Sequence, residues 1–469
     1  MGGIAHVSSA LFAVVVGRHQ MRERRSITKA RANLSAPKPL DVFVLIIVVF
    51  ILGYAAIALE HPLRMNKAAP ALLTGMLVWT LVMLSDTGAE HVGTEGKLEA
   101  LFHHLGEIAS ILFFLLGAMT VVELMDAHGG FEVVTDRIGS KNRLVLLWVV
   151  GVLTFFLSAV LDNLTTSIVM AALLRKLVGR KEDLWTLGGV VIIAANAGGA
   201  WSPIGDVTTI MLWIGGQVTT WSIITQLFVP SIVCLVLSLL WLSIKMRGSI
   251  ERPESVAAEE RVVTKRQQYM VFAMGVVTLL GVPLFKAYTH LPPFMGIMFG
   301  LAILWMYTEY VHTGSMEEAG QYQVAAILKR IDHSSILFFL GILIAVAGLQ
   351  TGGHLTLLSG WLGAQLPSVY AVNAILGVLS AIVDNVPLVA AAQGMYPLST
   401  YPPDHIFWEL LALCAGTGGS MLIIGSAAGV AVMGVLGMEF MWYVRRMFVP
   451  ALIGYVGGIL TYWILAGTA

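Results

Sequence analysis

Long apolar runs alternate with short polar segments along almost the whole chain. Runs of about 20 apolar residues are long enough to cross a bilayer as a helix. Ten runs near that length are found, at residues 41–59, 69–85, 108–125, 186–214, 222–244, 268–288, 293–310, 334–350, 405–437 and 447–466. This pattern predicts an all-α membrane protein, built as a polytopic helical bundle.

Two further apolar segments, 143–177 and 367–398, are interrupted midway by polar residues. Each is predicted to form a re-entrant hairpin of two half-helices, or a pair of short spans. Such irregular backbone at membrane depth is stable only where protein or a water-filled cavity surrounds it. These two segments are therefore expected to lie inside the bundle.

The chain repeats its own motifs in the same order. SILFFL occurs at 110–115 and again at 335–340, and the hairpin tip SAVLDN (158–163) returns as SAIVDN (380–385), at an offset of 384 − 162 = 222. Several landmarks at a nearly constant offset indicate an internal duplication. The predicted organisation is an N-terminal segment 1–40, a first transmembrane repeat 41–244, a cytoplasmic charged linker 245–267 and a second transmembrane repeat 268–469.

Basic residues predict that the two repeats are inverted. Those at the base of the first hairpin are Arg137, Lys141, Arg143, Arg175, Lys176, Arg180 and Lys181, whereas the base of the second, 351–369 and 394–405, carries none. Cytoplasmic loops are enriched in lysine and arginine, so the two bases are expected on opposite faces. Residues 18–38 hold seven more basic residues on what this scheme makes the outer side. The topology of 1–40 is therefore left open.

Composition supports a membrane protein and argues against a nucleic-acid partner. Hydrophobic residues make up 57% of the chain and charged residues 12%, about half the charged fraction of a soluble domain. Lysine plus arginine and aspartate plus glutamate number 28 each, which predicts no nucleic-acid partner. Membrane lipid is the expected surrounding. Cys234 and Cys414 lie inside apolar runs and are predicted to be core residues without a disulfide.

Asp162 and Asp384 lie at the centres of the two apolar hairpins, and each is followed by asparagine. An acidic residue at the centre of a span costs about 2.5–3.5 kcal/mol to insert, and no basic residue is near either one in the sequence. We therefore predict that they bind a cation or a proton. The alternative is a protonated structural carboxylate that accepts hydrogen bonds from hairpin amides.

Neutral oxygens accompany the first aspartate. Asn163, Thr165 and Thr166 follow Asp162 directly, and a hard cation such as Na⁺ suits a carboxylate together with amide and hydroxyl oxygens. Ser158 and Ser380 precede the two aspartates by one helical turn, on the same helix face. These serines are predicted either to line the site or to bond back to their own helix.

The segments NAGGAWSPIGDVTT (196–209) and GTGGSMLIIGSAAG (416–429) are predicted to be broken helices. Paired glycines followed by proline or a third glycine allow unwound backbone to approach an ion. The glycines concerned are Gly198, Gly199, Gly205, Gly418, Gly419 and Gly425. In the first segment, Asp206 is predicted either to bind the ion or to cap the helix that begins near Val207.

In these motifs the chain resembles the NhaD family of the ion transporter superfamily. The resemblance covers about residues 41–469, including LGYAAIALEHP (52–62), both Asp-Asn hairpin tips and residues 196–209. It implies exchange of Na⁺ or Li⁺ for H⁺, a role in salt and alkali tolerance, a multi-pass protein of the cell inner membrane, and a homodimer with scaffold and transport portions. Related dicarboxylate carriers have serine where this chain has aspartate at both tips, which favours a cation as the transported species.

The resemblance also assigns ion- and proton-handling positions and no cofactor. They are Asp162, Asn163, Thr165, Thr166, Asn196, Asp206, Thr208, Thr209, Ser380, Asp384, Asn385 and Ser420, with Na⁺ itself expected at Asp162, Asn163, Asp206, Asp384 and Asn385. Burial favours the neutral form of a carboxylic acid, so proton and metal are expected to exclude each other. Inverted repeats then permit alternating access.

Two rival functions follow from the same residues. The first is an anion carrier of the same superfamily, for citrate, a dicarboxylate or arsenite. The second is an intramembrane enzyme, but the chain contains neither the HExxH nor the GxSxG motif. We therefore predict a secondary transporter and no enzyme.

Overall fold

The computed structural model describes residues 39–85, 93–135, 140–244, 246, 248–251, 263–312, 324–366 and 368–466. Almost all of the N-terminal segment 1–40 and much of the linker 245–267 lie outside these ranges. The predictions made for those two segments therefore stay predictions.

Regular structure in the described ranges is helical, apart from one isolated bridge between Asn142 and Ser249. The main helices of the first half are Pro39–Ala58, Ala68–Leu84, Thr94–Ala127, Arg143–Leu161, Asn163–Leu177, Lys181–Ala200, Val207–Ile214 and Thr220–Ser243. Those of the second half are Lys265–Thr289, Pro293–His312, His333–Thr351, Val369–Ser380, Asn385–Met395, Ile406–Gly418, Ala427–Leu436 and Phe440–Ala466. Shorter helices are Glu60–Leu63, Glu132–Thr135, Val324–Ile327 and His354–Gln365.

The predicted multi-pass helical bundle is confirmed. Among the described residues, eight helices are long and apolar enough to cross a membrane, judged by length and composition. Both halves run through the same series of three long helices, a hairpin, a broken helix and a final long helix. The inverted orientation of the two halves stays a prediction.

Four elements carry the polar residues of the predicted site. Hairpin 1 comprises Arg143–Leu161 and Asn163–Leu177, and hairpin 2 comprises Val369–Ser380 and Asn385–Met395. Broken helix 1 comprises Lys181–Ala200 and Val207–Ile214, and broken helix 2 comprises Ile406–Gly418 and Ala427–Leu436.

The first segments of the two broken helices form the centre of the bundle. Every residue from Leu187 to Ala200 is buried, and so is every residue from Phe407 to Gly418. A helix that is apolar on all sides is expected to be enclosed by other helices. The outer helices instead expose large apolar side chains such as Val277 and Phe299, as a lipid-facing surface requires.

Packing between the halves is reciprocal. Ala68–Leu84 of the first half packs on His333–Thr351 of the second, and the equivalent pair, Thr94–Ala127 and Pro293–His312, also packs together. The second helix of each hairpin contacts the second segment of the broken helix from the other half. The polar residues of both halves are thereby brought to one place.

The paired glycines serve a different purpose from the one predicted. A Cβ on Gly198 would lie 2.1 Å from the carbonyl oxygen of Phe155, and one on Gly418 would lie 2.1 Å from that of Gly377. Glycine is thus required where each broken helix crosses the first helix of its hairpin. The breaks themselves begin only after Ala200 and Gly418, so the prediction that the glycine pair forms the unwound stretch is wrong for the first half.

Candidate ion-binding site

The carboxylate of Asp206 lies between the tips of the two hairpins and is 1% exposed. Its Oδ2 atom accepts a hydrogen bond from Asn163 Nδ2 at 2.8 Å and another from Asn385 Nδ2 at 3.2 Å. Asn163 belongs to hairpin 1 and Asn385 to hairpin 2. A single carboxylate from the first repeat therefore joins both repeats, which the sequence pattern alone did not predict.

Asp206 holds this position because it is the N-cap of Val207–Ile214. The amide of Thr208 donates to Asp206 Oδ1 at 3.1 Å, and the Asp206 amide donates to Thr209 Oγ1 at 3.2 Å. This reciprocal arrangement is a capping box, which satisfies amides that the helix leaves unpaired. Capping and exposure of Oδ2 to the two asparagines coexist, so the two predicted roles of Asp206 are compatible.

Asn196 extends the polar network across the interface between the halves. Its Oδ1 accepts from Asn163 Nδ2 at 3.0 Å, and its Nδ2 donates to the hydroxyls of Ser420 and Ser426, each at 2.9 Å. Ser426 was absent from the predicted site. A signal for it exists, because Ser426 occupies the repeat position equivalent to Asp206, at an offset of 426 − 206 = 220.

Asp162 forms the whole of the hairpin 1 tip. It is 8% exposed, and its carboxylate accepts from the amide and the hydroxyl of Thr165, both at 2.8 Å. Its backbone has φ +80° and ψ +160°, a region that is essentially restricted to glycine and costs about 1–3 kcal/mol. The tip is therefore strained, and such strain is concentrated at functional sites.

Asp384 has a partner that the sequence did not reveal. Lys67 Nζ lies 3.3 Å from Asp384 Oδ2, while the amide of Val386 donates to Oδ1 at 3.2 Å. Folding therefore supplies a basic partner that is absent from the sequence neighbourhood of Asp384. Lys67 immediately precedes Ala68–Leu84, and its ammonium group also lies 4.3 Å from the ring centre of Phe338. Only folding brings it to hairpin 2.

The two hairpin serines bond neither to their own helices nor directly to Asp206. Ser158 donates to the carbonyl oxygen of Ala195 at 2.6 Å, and Ser380 donates to that of Ala415 at 2.7 Å. Each bond joins a hairpin to the broken helix of the same half. This contradicts the alternative in which the serines bond back to their own helices, and it engages both hydroxyl protons in contacts between helices.

The remaining predicted oxygens surround the same region. Thr166 is fully buried on hairpin 1, and its hydroxyl has no hydrogen-bond partner among the described residues. The side chains of Thr208 and Thr209 are also fully buried beside Asp206. The structure thus brings residues of both hairpins and both broken helices together at one polar centre.

The electrostatics of this centre favour positive charge. In the described ranges, no lysine, arginine or histidine forms an ion pair with Asp162 or Asp206, whereas Asp384 has Lys67. Asp162 and Asp384 are both near enough for their charges to act on Asp206. Buried carboxylates without a fixed counter-charge require a cation or a proton, and amide and hydroxyl oxygens suit a hard cation.

Comparison with known proteins agrees with this chemistry. A family model described as "Citrate transporter" matches residues 47–411. The chain is 49% identical over 415 residues to "Sodium/proton antiporter 1" of Arabidopsis thaliana, covering 88% of this chain and 71% of that protein. It is 34% identical over 421 residues to "Na(+)/H(+) antiporter NhaD" of Vibrio parahaemolyticus, covering 83% and 98%.

A solved structure shares the fold. The YdaH transporter of Alcanivorax borkumensis superposes with a TM-score of 0.51 over 91% of this chain and 98% of its own, at 13% sequence identity. At that identity the similarity concerns the fold alone. The extent of the sequence matches is decisive for the family: this chain is a multi-pass membrane protein that belongs to the NhaD-type sodium/proton antiporter family, within the group that the citrate-transporter model describes.

Proposed function

We propose that this chain exchanges Na⁺ or Li⁺ for H⁺ across a membrane by alternating access. The observation that carries the proposal is the buried Asp206 carboxylate, which contacts Asn163 of hairpin 1 and Asn385 of hairpin 2. A cation bound there would contact both repeats at once. The names of the relatives from Arabidopsis thaliana and Vibrio parahaemolyticus support Na⁺ and H⁺ as the exchanged ions.

Competition at carboxylates would couple the two ions. Asp162 and Asp384 each lie close enough to Asp206 to repel its carboxylate when both are ionised. Either a proton or a metal ion relieves that repulsion, and each excludes the other. In this scheme Asp206 is the primary ligand, and the Asn163 and Asn385 side chains turn their amide oxygens towards the metal.

The hairpins are the elements that we propose to move. Each is tied to the first segment of its own broken helix, by Ser158 in one half and Ser380 in the other. A hairpin and its broken helix would therefore shift as one body, and Asp206 would move with broken helix 1, to which it belongs. Exchange follows if the occupied site alternately opens to the two faces.

The test is Na⁺-induced proton movement in reconstituted vesicles, followed with a pH-sensitive dye. Na⁺ and Li⁺ are expected to release protons from acid-loaded vesicles, and Asp206→Asn is expected to weaken that signal strongly at Na⁺ concentrations below saturation. Asp332→Asn is the matched control, because Asp332 also N-caps a helix but lies at an exposed position. Full exchange by Asp206→Asn would remove Asp206 from the mechanism.

A second candidate function is citrate transport, because the matching family model is described as "Citrate transporter". It can be tested in the same vesicles. A tricarboxylate would meet the carboxylates of Asp162 and Asp206, which have no basic partner among the described residues. We expect no uptake of labelled citrate. Uptake that saturates and needs no added Na⁺ would favour the anion carrier.

We further propose that the chain works as a homodimer in the cell inner membrane. This rests on the family resemblance. Native mass spectrometry from detergent micelles gives the oligomeric state directly. A monomer at all detergent concentrations would contradict the dimer without affecting the proposed exchange.

A further inference from the structure

A cavity of about 260 Å³ lies at the end of the bundle where hairpin 1 begins. Its walls are the starts of hairpin 1 and broken helix 1, the end of Thr220–Ser243 and the first part of Phe440–Ala466, and none of its lining residues belongs to the Asp206 centre. This is also the end that the basic residues predict to be cytoplasmic.

Arginine dominates the charged lining of the cavity. Four arginines, Arg143, Arg180, Arg445 and Arg446, face two acidic residues, Glu182 and Asp183. The balance is 4 − 2, or two positive charges in excess. A cation on its way to the Asp206 centre would be repelled here, so the cavity is not suited to be an entry path for Na⁺.

The ion pairs show which arginines supply the excess. Arg143 forms an ion pair with Asp183, with an Nη2–Oδ2 distance of 2.6 Å. Arg180 and Arg446 both contact Glu182, at 3.5 and 3.3 Å. Arg445 forms no ion pair with any residue in the described ranges. One acidic side chain therefore neutralises two arginines incompletely, and a third arginine beside them is available to an anion.

Apolar side chains border the same cavity on the outer surface. Trp241 and Val449 line it and are 43% and 44% exposed, and Ile244 at the end of the same helix as Trp241 is exposed as well. A soluble anion would gain nothing from this apolar border. A molecule with a phosphate head and acyl chains would use both parts.

We propose that this cavity binds the head group of an anionic phospholipid. Its phosphodiester would accept hydrogen bonds from Arg445 and Arg446, and its acyl chains would lie along Trp241 and Val449. Basic pockets between transmembrane helices on the cytoplasmic side suit such head groups, and guanidinium groups match the geometry of phosphate oxygens. The bound lipid would hold Phe440–Ala466 against broken helix 1, whose Glu182 already contacts Arg446.

The proposal can be tested without measuring transport. The purified protein in a nonionic detergent is titrated with phosphatidylglycerol or with phosphatidylcholine, and its unfolding temperature is recorded. Native mass spectrometry counts the lipids retained. We expect stabilisation by phosphatidylglycerol that saturates and exceeds that by phosphatidylcholine, because a ligand stabilises the state that binds it.

Substitution of the cavity arginines tests whether phosphatidylglycerol stabilises the protein by binding there. Arg445→Gln with Arg446→Gln is expected to raise the phosphatidylglycerol concentration for half-maximal stabilisation roughly tenfold or more, the effect of losing charged hydrogen bonds. The matched control is Arg175→Gln with Lys176→Gln, which removes two exposed positive charges at the same end but outside the cavity. The control is expected to behave like wild type. If the Arg445/Arg446 variant does not fold, Arg445→Gln alone is measured instead.

Three results would overturn the proposal. Equal stabilisation by the two lipids would show that the phosphatidylglycerol charge is not recognised. Equal weakening in the control would assign the effect to overall surface charge. The same stabilisation by millimolar inorganic phosphate without lipid would make the ligand a soluble anion.

Discussion

The ammonium group of Lys67 lies 3.3 Å from a carboxylate oxygen of Asp384, although the two residues are 317 positions apart. Lys67 precedes the second helix of the first half, and Asp384 lies at the hairpin tip of the second half. This pair is a fixed cation at one of the carboxylates that we propose to handle Na⁺. The two hairpins are therefore electrostatically unequal.

Lys67→Gln is expected to lower the apparent Km for Na⁺, because the lysine and Na⁺ compete for the Asp384 carboxylate. It should also lower the unfolding temperature, since Asp384 loses its counter-charge. Adding Asp384→Asn should recover part of that loss, with a coupling of about 0.5–3 kcal/mol between the two changes. Thermal unfolding of the wild type, the two single variants and the double variant measures this coupling. Additive changes would show that the ion pair contributes nothing.

Asp206→Ser is expected to raise the apparent Km for Na⁺ and to flatten its pH dependence. In wild type, protons occupy the carboxylates as pH falls, so the Km should rise by up to about tenfold per pH unit for competition by one proton. Asp206→Ser removes one ligand for Na⁺ and one site at which protons compete with it. Na⁺ should therefore bind more weakly, and the Km should depend less on pH. Na⁺ titrations of exchange at several pH values provide the measurement. An unchanged Km and pH profile, with only stability reduced, would assign Asp206 to helix capping.

The mirror change, Ser426→Asp, places a carboxylate at the position of the second repeat that is equivalent to Asp206. Ser426 N-caps Ala427–Leu436 by accepting from the amide of Gly429, as an aspartate at that position also could. We expect this variant to fold and to retain exchange, because no carboxylate has been removed. Complete loss of exchange would mean that the asymmetry between the two repeats is itself essential.

Asp162→Gly is expected to abolish exchange while leaving the unfolding temperature unchanged or raised. Glycine adopts φ +80° without the strain of about 1–3 kcal/mol that aspartate bears. Asp162→Ala removes the same carboxylate but keeps the strain, so its unfolding temperature should fall. Circular-dichroism melts of both variants separate strain from chemistry. Exchange by Asp162→Gly at the wild-type rate would leave Asp162 with a capping role only.

Gly198→Ala is expected to prevent correct folding. The added methyl group would lie 2.1 Å from the carbonyl oxygen of Phe155, which is backbone and cannot move aside alone. Gly281→Ala is the control, because a Cβ there meets nothing within 4 Å and alanine favours a helix by about 1 kcal/mol. Detergent-solubilised yield and size-exclusion profiles compare the two. A monodisperse Gly198→Ala protein would refute the close crossing of helices.

Cysteine labelling tests the inverted orientation of the repeats. After Cys234 and Cys414 are replaced, single cysteines near Lys176 and near Gly353 should react with an impermeant reagent from opposite faces of the membrane. The reason is the difference in basic residues between the two hairpin bases. Labelling of both positions from one face would contradict the inversion.

Much of the site could be named from the sequence because the chemistry is unusual for its setting. An aspartate in the middle of an apolar hairpin stands out without any structure, and its recurrence as Asp162 and Asp384 repeats the signal. The same reasoning found Asn163, Asn196 and Asp206. It missed Lys67, because a lysine at the end of an apolar helix is common and nothing local connects it with Asp384.

The sequence by itself determined the helical membrane class, the internal duplication and the identity of most polar residues in the apolar segments. These depend on local properties, namely hydrophobic length, glycine content and the cost of burying charge. Only the tertiary structure decided that the two repeats share one centre at Asp206, that Ser158 and Ser380 tie hairpins to broken helices, and that Lys67 neutralises one hairpin tip. Each of these results from the packing of helices distant in the chain, and a contact of that kind leaves no periodic pattern in the sequence.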